Sequence, residues 1–193
     1  MAQFQFFLYG INDDERVGYI EAFPGVENDF RLTEGLEMGE DFPGTVELSI
    51  DPSSGNIITD FIDNIKGILI VSERAKQAIT DLGQPEAHIE FLPFILRNKH
   101  GRVVADRSYW VANLLRKVPC LAKDRSDFVA TEDGSEIVVI ETLFLDEEKI
   151  PDDASLFRVA EFPEQIVIRS DLVKAVEDAG LTGLCVMEQG EIR

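Results

Sequence analysis

The chain has 193 residues, 45% of them apolar, with 37 acidic and 18 basic side chains and a formal net charge of −19. That much apolar material, with 13 Phe, excludes a disordered acidic tail. The acidic field disfavours nucleic-acid phosphates and anionic lipid and favours cations or a basic protein partner. The charge is uneven: residues 1–63 carry net −12, residues 64–130 net +4 and residues 131–193 net −11.

Residues 3–9 are aromatic and partly alternating, which predicts a first strand. Gly10 to Asp14 is a turn. Between residues 16 and 50 the punctuation by Gly18, Pro24-Gly25, Gly35, Gly39 and Pro43-Gly44 predicts loops and short strands rather than long helices. Thr45 to Ile50 alternates and predicts a strand, and Asp60 to Asn64 reads as a short turn. Glu90 to Leu96 is an apolar strand in which Pro93 marks an edge or a bulge. Asn98-Lys99-His100-Gly101 is a hairpin-like turn, and Tyr109 to Leu115 favours strand over helix because its apolar residues keep no helical period. Glu136 to Leu145 and Leu156 to Ala160 are further strands, and Thr182 to Met187 is the last.

One short module occurs twice. Ile68-Leu69-Ile70-Val71-Ser72-Glu73-Arg74-Ala75-Lys76 runs on to Gly83, and Ile166-Val167-Ile168-Arg169-Ser170-Asp171-Leu172-Val173-Lys174 runs on to Gly180. Each reads as an apolar strand, a Ser that caps a helix with an acid behind it, and a Gly that stops the helix. Strands outnumber helices, which predicts an α+β fold with a mainly antiparallel or mixed sheet and a few short helices. We expect one domain over 1–193, with residues 1–60 an acidic, turn-rich subdomain and 61–193 the core that carries the two modules.

Chemistry is sparse. His88 and Glu90 share a strand face, and His100 lies near Asp106, but no HExxH, paired-Cys or calcium-loop motif accompanies them. Ser72 and Ser170 are expected as caps, not nucleophiles, and no G-x-S-x-G elbow occurs. Cys120 and Cys185 sit in apolar stretches and read as free buried thiols. The acids around Gly35-Leu36-Glu37-Met38-Gly39 are the wrong charge for a phosphate loop. The basic run Arg97 to Arg102 is either a solvated turn or an internal partner for an acidic end. Met1 to Gln5 has no basic leader and no apolar run approaches a membrane span, so a cytosolic protein is expected.

Taken in order, Ile70 to Ala75, Glu90-Phe91-Leu92-Pro93, Tyr109 to Asn113 with Cys120 and Ser126 following, Leu156-Phe157-Arg158-Val159, Ile166 to Ser170 and Gly180-Leu181-Thr182-Gly183 resemble a known family. They are similar to the immunity proteins of bacterial polymorphic-toxin systems, in the group numbered eleven and formerly described as a domain of unknown function. The resemblance covers roughly residues 55–190. It implies a non-enzymatic protein, without cofactor or metal, that binds and blocks a cognate protein toxin made by the same cell. For that partner, expected to be basic, the exposed acid clusters are the candidate contacts: Asp13, Asp14 and Glu15; Glu37, Glu40 and Asp41; and Asp146, Glu147 and Glu148. Two alternatives stand beside it: a ligand-binding enzyme using carboxylates near His88 or His100, and an acidic nucleic-acid mimic.

Overall fold

The computed structural model describes residues 4–81 and 88–191; the expected helix stop at Gly83 and the first residue of the first expected strand, Gln3, lie outside these. The fold is α+β, with mixed sheets and short helices. One sheet has the order β2-β4-β5-β7-β6-β3, built from β2 (Tyr19–Ile20), β3 (Glu47–Ser49), β4 (Phe61–Asn64), β5 (Ile70–Ser72), β6 (Ile89–Arg97) and β7 (Tyr109–Leu114). A second has the order β13-β1-β12-β11-β8, from β1 (Phe6–Tyr9), β8 (Lys117–Val118), β11 (Leu156–Val159), β12 (Phe162–Arg169) and β13 (Val186–Met187). A small third sheet joins β9 (Asp127–Ala130), β10 (Ile137–Leu143) and β14 (Gly190–Glu191). The helices are α1 (Phe30–Thr33), α2 (Glu73–Asp81) and α3 (Ser170–Asp178).

Strand alternation explains how the layers stack. Leu69 and Val71, Ala112 and Leu114, and Ile166 and Ile168 all point into one shared core between the two large sheets. Helix α2 adds Ala75 and Ile79 to it, and α3 adds Leu172 and Val176, each pair one helical turn apart. Ile70, Val111, Leu92 and Phe94 point the other way, into an outer core closed by residues 20–50. Val167, Leu8 and Phe157 face a second outer core under the small sheet.

The two large sheets repeat one topology. The strands β4-β5-β7-β6 and β11-β12-β1-β13 are antiparallel throughout, and each set is flanked by a parallel strand, β2 or β8. The registers agree as well: Val71 faces Trp110 as Ile168 faces Phe7, and Val111 faces Leu92 as Leu8 faces Met187. The N-terminal β1 therefore completes the second half in the place that β7 holds in the first.

This match corrects the expected pairing of the modules. Shared-core residues correspond 97 positions apart (69 with 166, 71 with 168, 75 with 172, 79 with 176), so Ser72 corresponds to Arg169 and not to Ser170. Ser72 does cap α2: its Oγ accepts the Ala75 amide at 3.2 Å. Ser170 caps nothing; it lies inside α3, and its Oγ accepts the Gln5 amide at 3.2 Å, extending the β1–β12 pairing. The stop at Gly180 is as expected, with the Leu181 amide donating to the Val176 carbonyl and the Gly180 amide to that of Glu177. Two further corrections concern strands. Asp60 to Asn64 is not a turn, since Phe61–Asn64 pairs with β5, and the last expected strand keeps only Val186–Met187 before the chain bends into β14.

Two buried polar groups join the halves. The Asp60 carboxylate accepts from Ser72 Oγ at 2.8 Å and from the Thr182 amide at 3.1 Å, tying the start of α2 to the turn after α3. Arg158 is the largest fully buried side chain. It donates to the carbonyls of Leu114 (3.1 Å), Thr33 (2.8 Å), Pro163 (2.7 Å) and Leu32 (2.7 Å). Burial pulls its pKa down to about 10 against the opposing charge of Glu164, so it remains a cation at neutral pH. The Leu32 and Thr33 carbonyls end α1, where a helix leaves acceptors open and favours positive charge. Gly35 lies directly on this guanidinium: at φ +60°, a Cβ there would stand 2.3 Å from the Leu114 carbonyl and 2.7 Å from Arg158 Cδ.

Arg158→Met should therefore strand several buried carbonyls and cost more than about 3 kcal/mol in urea unfolding. Gly35→Ala should destabilise clearly more than Gly67→Ala, which has the same positive φ but open space around it. Equal losses at the two glycines would show that contact with Arg158 contributes nothing.

Candidate functional site

Of the three acid clusters, one lines a groove through Asp13 and a second reaches it through Glu147. Asp13, Asp14 and Glu15 lie in the turn after β1, and Glu147 and Glu148 begin the one-turn helix Glu147–Lys149 that follows β10, with Asp146 just before it. The groove has a volume of about 810 Å³ and is lined by Gly10, Ile11 and Asp13 and by every residue from Leu184 to Gln189. Gln189 connects it to the second cluster by donating to Glu147 Oε1 at 2.9 Å. The third cluster lies apart. Glu37, Glu40 and Asp41 bracket Met38, which is buried in the outer core of the six-stranded sheet, and Arg31 pairs with Asp41 at 2.7 Å. The other internal pairs are short-range: Asp14 with Arg16 at 2.6 Å and Asp146 with Lys149 at 2.7 Å. The Arg16 guanidinium holds the Asp14 carboxyl at about 2.

Asp13, Asp14 and Glu15 also border a smaller cavity of about 380 Å³ with Asn12, Tyr19 and Asp63. Asp63 comes from β4 and accepts the amides of Asn12 (3.1 Å) and Asn64 (2.8 Å). Burial raises its pKa above the ordinary 3.8; the two amides oppose the rise and the charge of Asp13 adds to it. The Cys185 thiol is pushed up by burial and then by Asp63 and Asp13, which places all three around the two adjoining hollows. Ile11 is 59% exposed at the groove, and Leu184, Val186 and Met187 are half-buried there. These apolar residues, with Asp63, were not among the expected contacts. The only sign in the sequence was an apolar strand ending close to the C-terminus; that it forms the edge of a sheet depends on pairing.

The carboxylate candidates are engaged in structural bonds, whereas buried His88 Nδ1 has no hydrogen-bond partner among the described residues. Glu90 uses its carboxylate oxygens on the amides of Met38 (2.9 Å) and Gly39 (2.6 Å) and on Asn113 Nδ2 (3.0 Å), which fixes it in a structural role. His100 sits exposed in its turn with its amide on Asn98 Oδ1, and Asp106 pairs with Arg107 at 3.7 Å. Burial, then Glu161 and Asp146, pushes the Cys120 thiol up to about 12, which makes it a poor nucleophile. Of the basic run, Arg97 forms a two-bond pair with Glu47 at 2.8 Å, joining the turn to the acidic N-terminal region. Among the described residues no group of three or more His, Cys, Asp or Glu is placed to hold a metal ion. No helix among them is long and apolar enough to cross a membrane.

Around the groove the described residues form a charged, partly apolar surface. Residues 12–190 match the Immunity protein family (Imm11), and the chain belongs to that family. No curated protein matches it.

Two outcomes follow from this geometry. Because the folded-state pKa of Asp63 lies above the unfolded one, its ionisation opposes folding, and the loss sets in as pH rises past the ordinary value. Going from about pH 4 to about pH 7, the melting temperature of Asp63→Asn should therefore gain on that of the wild type; a constant difference would contradict the assignment. A thiol reagent applied to the native protein should modify half-exposed Cys185 and spare buried Cys120; the opposite order would contradict the burial of the two thiols.

Proposed function

We propose that this protein is an immunity protein that binds a cognate protein toxin and neutralises it by direct contact, without catalysis, cofactor or metal. The observation that carries the reading is family membership across residues 12–190. Three features support it. Glu90, the acid beside His88 that could have served chemistry, is engaged by the backbone amides of Met38 and Gly39. The net charge of −19 suits a basic partner and disfavours nucleic acid. The exposed acid clusters around the groove combine long-range attraction with an apolar centre, the usual division between steering and holding in a protein interface. The protein acts in the cytoplasm of the bacterium that makes the toxin.

Co-expression with the product of the adjacent gene should restore growth and yield a complex that co-purifies; toxicity without rescue would remove this reading. Within the complex, changing Asp146, Glu147 and Glu148 together to Lys should slow association about three- to tenfold at low salt and flatten its salt dependence. An unchanged rate would exclude that cluster from steering.

A further inference from the structure

The two halves differ at one matched place. In the first half, Asn113 of β7 faces Glu90 of β6. With Arg158 they hold down the chain from Leu32 to Gly39. Arg158 takes the carbonyls that end α1, Asn113 donates to the Leu36 carbonyl at 2.9 Å, and Glu90 accepts the Met38 and Gly39 amides. Met38 is the apolar anchor of that segment, 2% exposed between acidic neighbours.

The register identifies the counterparts in the second half. Ala112 faces Phe91 as Tyr9 faces Val186, so the next pair outward, Asn113 with Glu90, corresponds to Gly10 with Cys185. The Gly10 amide does donate to the Cys185 carbonyl, at 3.1 Å. Ile62 faces Ile70 as Phe157 faces Val167, so Asp63 is the counterpart of Arg158. Gly10 and Cys185 carry no amide or carboxylate side chain with which to hold a covering segment. This place is the groove and its adjoining cavity, which share Asp13. The key charge has also changed sign, from guanidinium to carboxylate.

We propose that this groove, lined by Gly10, Ile11 and the Leu184–Met187 edge, with Asp13 in its wall and Asp63 in the adjoining cavity, is the seat for an extended basic segment of the partner toxin. The proposal rests on the immunity reading and names its contact. An extended guest suits the site because β13 ends its sheet, and consecutive residues, odd and even alike, line the groove as the edge of a strand does. A basic guest suits it because Asp13, Asp63 and Glu188 surround apolar contacts, so cationic side chains can pair at the rim while an aliphatic or aromatic anchor lies on Ile11 and Met187. In the occupied seat the position of Asp63 is held by the cation Arg158.

The test uses the full chain and the purified product of the adjacent gene. Cys185 should be alkylated freely in the protein alone and at least about tenfold more slowly in the complex, with Cys120 silent in both. Ile11→Arg combined with Asp13→Lys should weaken the complex about 100-fold with the melting temperature unchanged, whereas Glu132→Lys on the β9–β10 turn should alter the dissociation constant less than about threefold. A complex that leaves Cys185 reacting at its free rate, or that ignores the double substitution, overturns the seat while the immunity reading stands. No complex with the wild type overturns both. Protection of Cys185 in a self-associated form without partner gives the groove to a second copy and overturns the seat for the toxin.

Discussion

Arg158 is the group on which the arrangement depends. A buried cation without a carboxylate partner is costly unless its donors are engaged, and here four of the five guanidinium N–H groups reach carbonyls from three separate stretches of chain. The same bonds fix where α1 ends, how close Gly35 approaches, and where β7 leaves the six-stranded sheet. Once α1 is anchored, the Leu36–Gly39 segment falls within reach of Asn113 and Glu90, and Met38 closes the outer core. A long span of the acidic N-terminal region thus takes its place through Arg158, which belongs to the other half of the molecule, together with Asn113 and Glu90.

The internal repeat gives this constraint its functional consequence. Two halves with one topology share a core, and the Asp60 carboxylate stitches the start of α2 to the turn after α3. Gly183 makes that stitch possible. At φ +89° it passes so close to the Phe61 carbonyl and Thr59 that a Cβ would stand 2.3 Å from the carbonyl oxygen. With the frame held this way, the two matched surface sites are free to diverge. One has become structural, filled by its own chain; the other presents acids, a strand edge and half-buried apolar side chains to solvent.

Much of the fold could be read from the residues, and the failures have physical causes. The apolar runs of both modules predicted β5 and β12, and their Ser, acid and Gly marks predicted α2 and α3, because periodicity and capping are local. The Ser match misled by one residue: Ser170 looks like Ser72, but burial of Leu172 and Val176 sets the phase of α3, and packing outweighs a cap. Asp60 to Asn64 read as a turn because its polar residues hid a short strand paired on both sides. Glu147 and Glu148 are exposed as expected and Asp146 only partly, but the edge strand β13, which precedes the Gln189 that bonds Glu147, comes from pairing between chain ends more than 170 residues apart (8 with 187). Asp63, in a segment read as a turn, gave no local sign of facing that same surface. The resemblance read from six ordered stretches agrees with the family to which the chain belongs.

The central claim is that a toxin partner binds this protein directly. Titration calorimetry of the purified product of the adjacent gene into the purified full chain tests it most directly. The account predicts saturable binding that weakens with added salt and abolishes the toxin's activity in the same mixture. No heat and no loss of toxin activity at saturating protein would contradict it.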